Sequence, residues 1–170
     1  MAMQRTFGFV GGPAILAGPE LKVGDKAPGF EVQANDLSPV TLASSQGKVR
    51  VLSVVPSLDT SVCDTQTRRF NEEAASIGEH IVILTISADL PFAQKRWCGA
   101  AGVDRVQTVS DHLHMSFGKA YGTYLPDFRL ESRAVFVVDS SDTVVYVQYV
   151  PEAGQQPDYA SAIAAAKAAK

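Results

Sequence analysis

Cysteine is scarce in this chain, with two residues in 170. That is too few for a disulfide scaffold, so either thiol serves redox chemistry or packing. Basic charge is not in surplus either. Fifteen Lys plus Arg against eighteen Asp plus Glu leave a net charge of −3. No electrostatic drive toward nucleic acid or an anionic membrane follows. No apolar run approaches the roughly 18 residues that a bilayer span needs. Gly-x-Gly-x-x-Gly and P-loop patterns are missing, which leaves nucleotide binding unsupported. Cys-x-x-Cys is missing too. His112 and His114 are one residue apart on an expected helix and point to different sides, so no metal site is read from them. Ser44 and Ser140 fall in turns without a histidine partner, which removes the case for a serine hydrolase.

What is present describes a globular chain: 46% hydrophobic and 19% charged residues exclude disorder. The length fits one domain, residues 1–170, with a sizeable core. Residues 7–18, FGFVGGPAILAG, are apolar and end in small residues, as a targeting signal would. Gly11, Gly12 and Pro13 interrupt them, however. The reading is an N-terminal hairpin over 1–18, two strands flanking a Gly-Gly-Pro turn. A cytoplasmic location follows in preference to a periplasmic one.

Residues 49–55 are β-branched and nearly all apolar, the pattern of a strand buried on both faces. Pro56 stops it. Thr60 or Ser61 can cap a helix reaching residue 77, with Gly78 as its stop. Phe70, Ala74 and Ile77 fall on one face of it. Residues 81–87 read as a second buried strand, which completes a strand–helix–strand unit. A helix is expected over 91–101, opened by Pro91, then a short strand near 106–109 and a helix over 112–121. Strands over 134–138 and 143–150 are joined by a turn short enough for an antiparallel hairpin. A final alanine-rich helix starts near Asp158. The expected fold class is α/β, a mixed sheet with helices on both faces, parallel in the middle and antiparallel at one edge.

Cys63 falls just past the carboxyl end of a central strand, in the first turn of a helix. Open α/β sheets place ligand sites at that end. Free N–H groups and the positive end of the helix dipole lie there as well. A cysteine titrates near 8.5 when free, and helix N-termini with nearby cations bring that down to roughly 3.5–7.5. Position 63 is therefore suited to a thiolate nucleophile, although a cysteine can also be plain core filler. Cys98 lies on the following helix beside Trp97, where it reads as a small packing residue or a second thiol. A bridge between the two needs Cα atoms within about 4.4–6.8 Å. Two packed helices would have to unwind locally to provide that.

Pro56-x-x-x-Thr60-x-x-Cys63, within SVVPSLDTSVCDTQTRRFNEEAA, resembles the active-site pattern of the peroxiredoxins. The similarity is to the bacterial thiol peroxidases of the atypical two-cysteine type. It extends to the N-terminal hairpin, to VGDKAPGFEV, to Cys98 and to Arg133 before a strand. The resemblance implies a thioredoxin-like fold and a homodimer, with thioredoxin as the reductant and hydroperoxides as substrates, organic ones over hydrogen peroxide. It implies no metal and no organic cofactor. Cys63 would be the peroxidatic cysteine and Cys98 the resolving one, joined to it in an intrachain disulfide. Thr60 would contact thiolate and peroxide, Pro56 would shield the pocket, and Arg133 would stabilise the thiolate. Taken singly, Thr60 is an ordinary helix cap and Arg133 an ordinary solvated cation; the joint pattern carries the argument. A thioredoxin-fold redox sensor or binding protein also fits, since it too needs a reactive thiol, and only turnover separates the two.

Overall fold

The structure, a computed structural model, describes residues 4–170. Residues 1–3 of the expected hairpin span lie outside it. In chain order the elements are β1 (Thr6–Phe9), β2 (Gly12–Ile15), β3 (Glu31–Gln33), β4 (Pro39–Thr41), a 3-10 turn (Leu42–Ser45) and β5 (Val49–Val54). There follow α1 (Ser61–Ala74), β6 (Ile81–Ser87), α2 (Pro91–Ala101), β7 (Gln107–Ser110) and α3 (Ser116–Tyr121). The chain ends with β8 (Tyr124–Leu125), β9 (Leu130–Glu131), β10 (Ala134–Val138), β11 (Val144–Tyr149) and α4 (Tyr159–Ala168). Among the described residues no helix is long and apolar enough to cross a membrane.

All six residues of β5 are buried, as a central strand demands. Successive side chains point to opposite faces, so β5 feeds two cores. Leu52 and Val54 join Ile86, Phe117, Tyr121 and Phe136 on the α3 side. Val49 and Val51 join Phe70, Ile83, Val135, Ala162 and Ile163 on the side of α1 and α4. Ala162 and Ala166, one turn apart and buried, let α4 sit close to the sheet. Asp158 starts that helix by accepting the Ser161 N–H at 3.0 Å. Arg50 is the charged exception in β5. It is fully buried, and its guanidinium donates to Leu42 O at 2.9 Å and to Asp142 Oδ1 at 2.6 Å.

The seven-stranded sheet runs β11-β10-β5-β6-β7-β3-β4. β5, β6 and β7 are parallel. β10 and β11 are antiparallel on one side, and β3 and β4 on the other. Antiparallel pairing thus occurs at both edges, not one. β3, expected as a short strand near residues 30–33, is three residues long and joins β7 through the single pair Gln33↔Ser110, a pairing that no sequence pattern announces. The mixed sheet, the flanking helices and the hairpin β1–β2 are consistent with the thioredoxin-like fold.

Three boundaries differ from expectation, each for a local reason. The hairpin turns at Val10 and Gly11, both with positive φ, while Gly12 and Pro13 belong to β2 and pair with Phe9 and Gly8. Two left-handed residues in a two-residue loop match the twist of the strands. Helix α1 ends at Ala74, because the Ser76 hydroxyl takes the Glu73 carbonyl at 3.0 Å; Ile77 still reaches the core. Helix α3 starts at Ser116, after Met115 in a left-handed conformation. The Asp111 carboxylate accepts the N–H groups of Phe117 and Gly118 at 3.0 and 2.8 Å. His112 therefore precedes the helix, with Nε2 2.6 Å from Gln33 Oε1.

Glu131 on β9 is fully buried and faces Asp111. Its Oε2 accepts the Thr123 hydroxyl at 2.5 Å. Burial, then the adjacent Asp111, pushes the Glu131 carboxyl well above the usual range. A group whose pKa is raised on folding stabilises below its unfolded value, and the stability is lost as pH rises to the folded value. Glu131→Gln removes that dependence. Denaturant titrations of wild type should then lose stability with rising pH, from above the ordinary carboxyl range, by up to about 1.4 kcal/mol per pH unit more than the variant. Parallel curves would show an ordinary carboxyl.

Candidate active site

Strand β5 ends at Val54, and the loop 55–60 delivers Pro56 and Thr60 to the start of α1. Cys63 is the third residue of that helix and is 0% exposed. Arg133 comes from far along the chain. β10 pairs with β5 so that Ala134 lies opposite Val54, and the residue before β10 therefore arrives at the carboxyl end of β5, beside Cys63. Arg133 Nη2 donates to Cys63 Sγ at 3.2 Å.

The guanidinium is fixed on its other sides. Nη1 donates to Gln66 Oε1 at 2.8 Å and Nη2 to the Ala153 carbonyl at 2.8 Å. Gln66 is itself buried and donates to Ser53 Oγ at 2.8 Å. None of the ion pairs among the described residues includes Arg133. A cation 1% exposed and without a carboxylate partner is an expensive arrangement unless an anion comes to face it. Burial pushes the nearby Tyr159 hydroxyl up to about 12, against the opposing field of Arg133, so that phenol does not exchange protons near neutrality.

Thr60 occupies the N-cap position of α1, but its side chain does not cap the helix. The hydroxyl donates to the Ser57 carbonyl at 3.0 Å. With its hydrogen committed there, the oxygen presents lone pairs to a ligand. Thr60 and Pro56 line a cavity of about 230 Å³ together with Phe9, Val62, Arg133 and Ala153. The structure thus brings Cys63, Arg133, Thr60 and Pro56 to one place.

Cys98 is not with them. Both cysteines are free. Cys98 lines a different, open cavity of about 590 Å³, with Sγ 3.4 Å from Thr108 Oγ1.

Four contributors escaped the sequence reading: Gln66, Asp89, the Ala153 carbonyl and Phe9. Asp89 latches the loop before α1. Its Oδ1 accepts the Ser57 hydroxyl at 2.6 Å and its Oδ2 the Leu58 N–H at 2.8 Å. An acid two residues before a helix-opening proline signals a helix start, but nothing in its spacing points to residue 57. The hairpin also reaches the site. Gly8 N donates to Pro151 O and Ala153 N to Gly8 O, both at 2.9 Å, so β1 holds the loop whose carbonyl orients Arg133.

The Redoxin family model matches residues 22–163. A thiol peroxidase of Halalkalibacterium halodurans is 62% identical over 161 residues, 95% of this chain and 96% of that protein. A thiol peroxidase of Bacillus subtilis is 58% identical over 160 residues, 94% of this chain and 95% of that protein. The crystal structure of a peroxiredoxin-like protein from Aquifex aeolicus superposes with a TM-score of 0.89 at 39% identity, covering 98% of both chains. A thiol peroxidase from Chromobacterium violaceum shares the fold, with a TM-score of 0.83 at 17% identity over 92% of each chain.

Proposed function

Because the chain belongs to the Redoxin family, among the thiol peroxidases of the peroxiredoxins, we propose that this enzyme reduces hydroperoxides through Cys63 and restores itself through Cys98 and thioredoxin. Its general activity is that of a thiol peroxidase. The observation that carries the finer reading is the 3.2 Å contact between the Arg133 guanidinium and the Cys63 sulfur in a buried site.

The Cys63 thiolate attacks one peroxide oxygen, and the S–O bond forms as the O–O bond breaks. Negative charge builds on the departing oxygen, which leaves as water or an alcohol after taking a proton. Arg133 and the N–H groups opening α1 are suited to stabilise that charge. Thr60, with lone pairs free, accepts the peroxide O–H and orients the bond for in-line attack. Pro56 closes one side against water. The apolar wall of Phe9, Val62 and Pro56 accommodates an alkyl group, so organic hydroperoxides are substrates alongside hydrogen peroxide.

The product on Cys63 is a sulfenic acid. The Cys98 sulfur bonds to it, and the sulfenic hydroxyl leaves with the Cys98 proton as water. The resulting disulfide exchanges with the dithiol of thioredoxin, which becomes oxidised as both cysteines return to thiols. No metal or organic cofactor enters this scheme. The whole chain, 1–170, acts as one domain. A reducing cytoplasm supplies the electrons, and the exposed Leu113 and Phe128 offer apolar surface for a homodimer.

The test is turnover. With thioredoxin, its reductase and NADPH, the protein should oxidise many equivalents of NADPH per chain when given cumene hydroperoxide or hydrogen peroxide. A single stoichiometric oxidation followed by silence would make it a redox sensor instead. The separation of Cys98 from the Cys63 site favours that second reading to the extent that oxidation must reshape the surface.

A further inference from the structure

The two cysteine-bearing helices are tied together by the immediate neighbours of the cysteines themselves. Asp64, next to Cys63, accepts the indole N–H of Trp97, next to Cys98, at 3.1 Å. The other oxygen of Asp64 accepts Arg68 Nε at 2.7 Å. Arg68 in turn donates to the Ala101 carbonyl at 3.1 Å and stands 5.6 Å from the centroid of the Trp97 ring. Asp64 and Arg68 are one turn apart on α1, and Trp97 and Ala101 are one turn apart on α2. The two pairs meet as the rungs of a clasp.

Trp97 also packs against the cluster of Val55, Leu58 and Cys63. Cys98 lies about 100° further round the helix and looks toward β7. The Thr108 hydroxyl donates to Asn35 Oδ1 at 3.1 Å, so toward Cys98 it is an acceptor and holds the thiol proton. Trp97 thus occupies the side of α2 that looks at Cys63, and Cys98 is turned away. For the sulfurs to bond, Cys98 has to come round to the place that Trp97 fills.

Resting on the roles assigned above to Cys63 and Cys98, we infer that the Asp64–Arg68–Trp97 clasp sets the lifetime of the Cys63 sulfenic acid, because α2 cannot present Cys98 until the clasp opens. Arg68 and Trp97 are positioning residues for the resolving step. Once formed, the sulfenic acid has two fates. Cys98 displaces its hydroxyl as water, at a rate independent of peroxide, or a second hydroperoxide adds an oxygen to the sulfur and leaves as its alcohol or water. The second path gives a sulfinic acid. A looser clasp favours the first.

Trp97→Phe keeps the ring and removes the indole donor, and Arg68→Ala removes the second rung. Reduced full-length protein is mixed with cumene hydroperoxide, quenched over time, and its sulfenic, disulfide and sulfinic forms are counted by mass spectrometry. Each variant should form the disulfide about twofold to fivefold faster, the range expected for releasing a partly exposed clasp. The peroxide concentration that half-converts Cys63 to sulfinic acid should rise by the same factor. The second-order rate of Cys63 oxidation should stay within twofold. Structural damage alone would slow disulfide formation or lower only the melting temperature. Either outcome, or an unchanged sulfinic threshold in both variants, overturns the clasp. Failure of Cys63 to oxidise in the wild type would overturn the parent reading instead.

Discussion

Cys63→Ser abolishes peroxide consumption, with a loss of more than about a thousandfold, since a serine hydroxyl beside the same guanidinium is a far weaker nucleophile than a thiolate. The sulfur it replaces is fully buried and 3.2 Å from Arg133, so no other thiol of the chain can take its place. Cys98→Ser behaves differently. It reduces one equivalent of peroxide per chain at the wild-type rate and then stalls with Cys63 as sulfenic acid, which excess peroxide carries on to sulfinic acid. Rapid mixing with one equivalent and then an excess of peroxide, followed by mass analysis, separates the variants. Full activity in Cys63→Ser, or sustained thioredoxin-linked turnover in Cys98→Ser, would remove the assignment of that cysteine.

Arg133→Met lowers the second-order rate of Cys63 oxidation by about 10²–10³, the usual cost of removing one donor aimed at developing charge. Two losses contribute. The sulfur loses the cation that favours its negative charge, and the departing oxygen loses a donor. The buried Gln66 Oε1 and the half-buried Ala153 carbonyl, which both accept from Arg133, also lose that partner, so some stability is lost. Arg133→Lys restores the charge but not the fork that reaches Gln66, Ala153 and sulfur at once, and it should recover only part of the rate. Stopped-flow oxidation beside thermal melts distinguishes the effects. A rate within tenfold of wild type in Arg133→Met would mean that the guanidinium serves packing alone.

The local part of this site was legible in the residues. Pro56, Thr60 and Cys63 lie within one strand-to-helix turn, where the end of an apolar run, a proline and a polar cap mark the geometry. Arg133 was accessible only through resemblance, because its position depends on the pairing of Ala134 with Val54, eighty positions apart in sequence. Gln66 and Asp89 were missed for a related reason: each acts across the fold, on Arg133 and Ser57 respectively. Strands β5, β6, β10 and β11 followed from hydrophobic runs, whereas β4, three residues opened by Pro39, did not. The ends of α1 and α3 did not, since Ser76 and Asp111 set them through side-chain bonds to backbone groups. Cys98 was placed on its helix, but the face it occupies depends on a rotation about the helix axis that the weakly patterned α2 does not encode. The dyad of Glu131 and Asp111 is equally silent in the sequence, where two acids twenty residues apart look like surface charge.

Gly8 gives the amino-terminal hairpin a mechanical task. A β-carbon there would approach Glu152 Cβ to 3.0 Å, so the strand lies flush against the segment that braces the guanidinium. The first ribbon of the chain is a splint, and load applied to it is transmitted to the sulfur through three short bonds. Fusion tags are therefore better tolerated when a long flexible spacer separates them from β1.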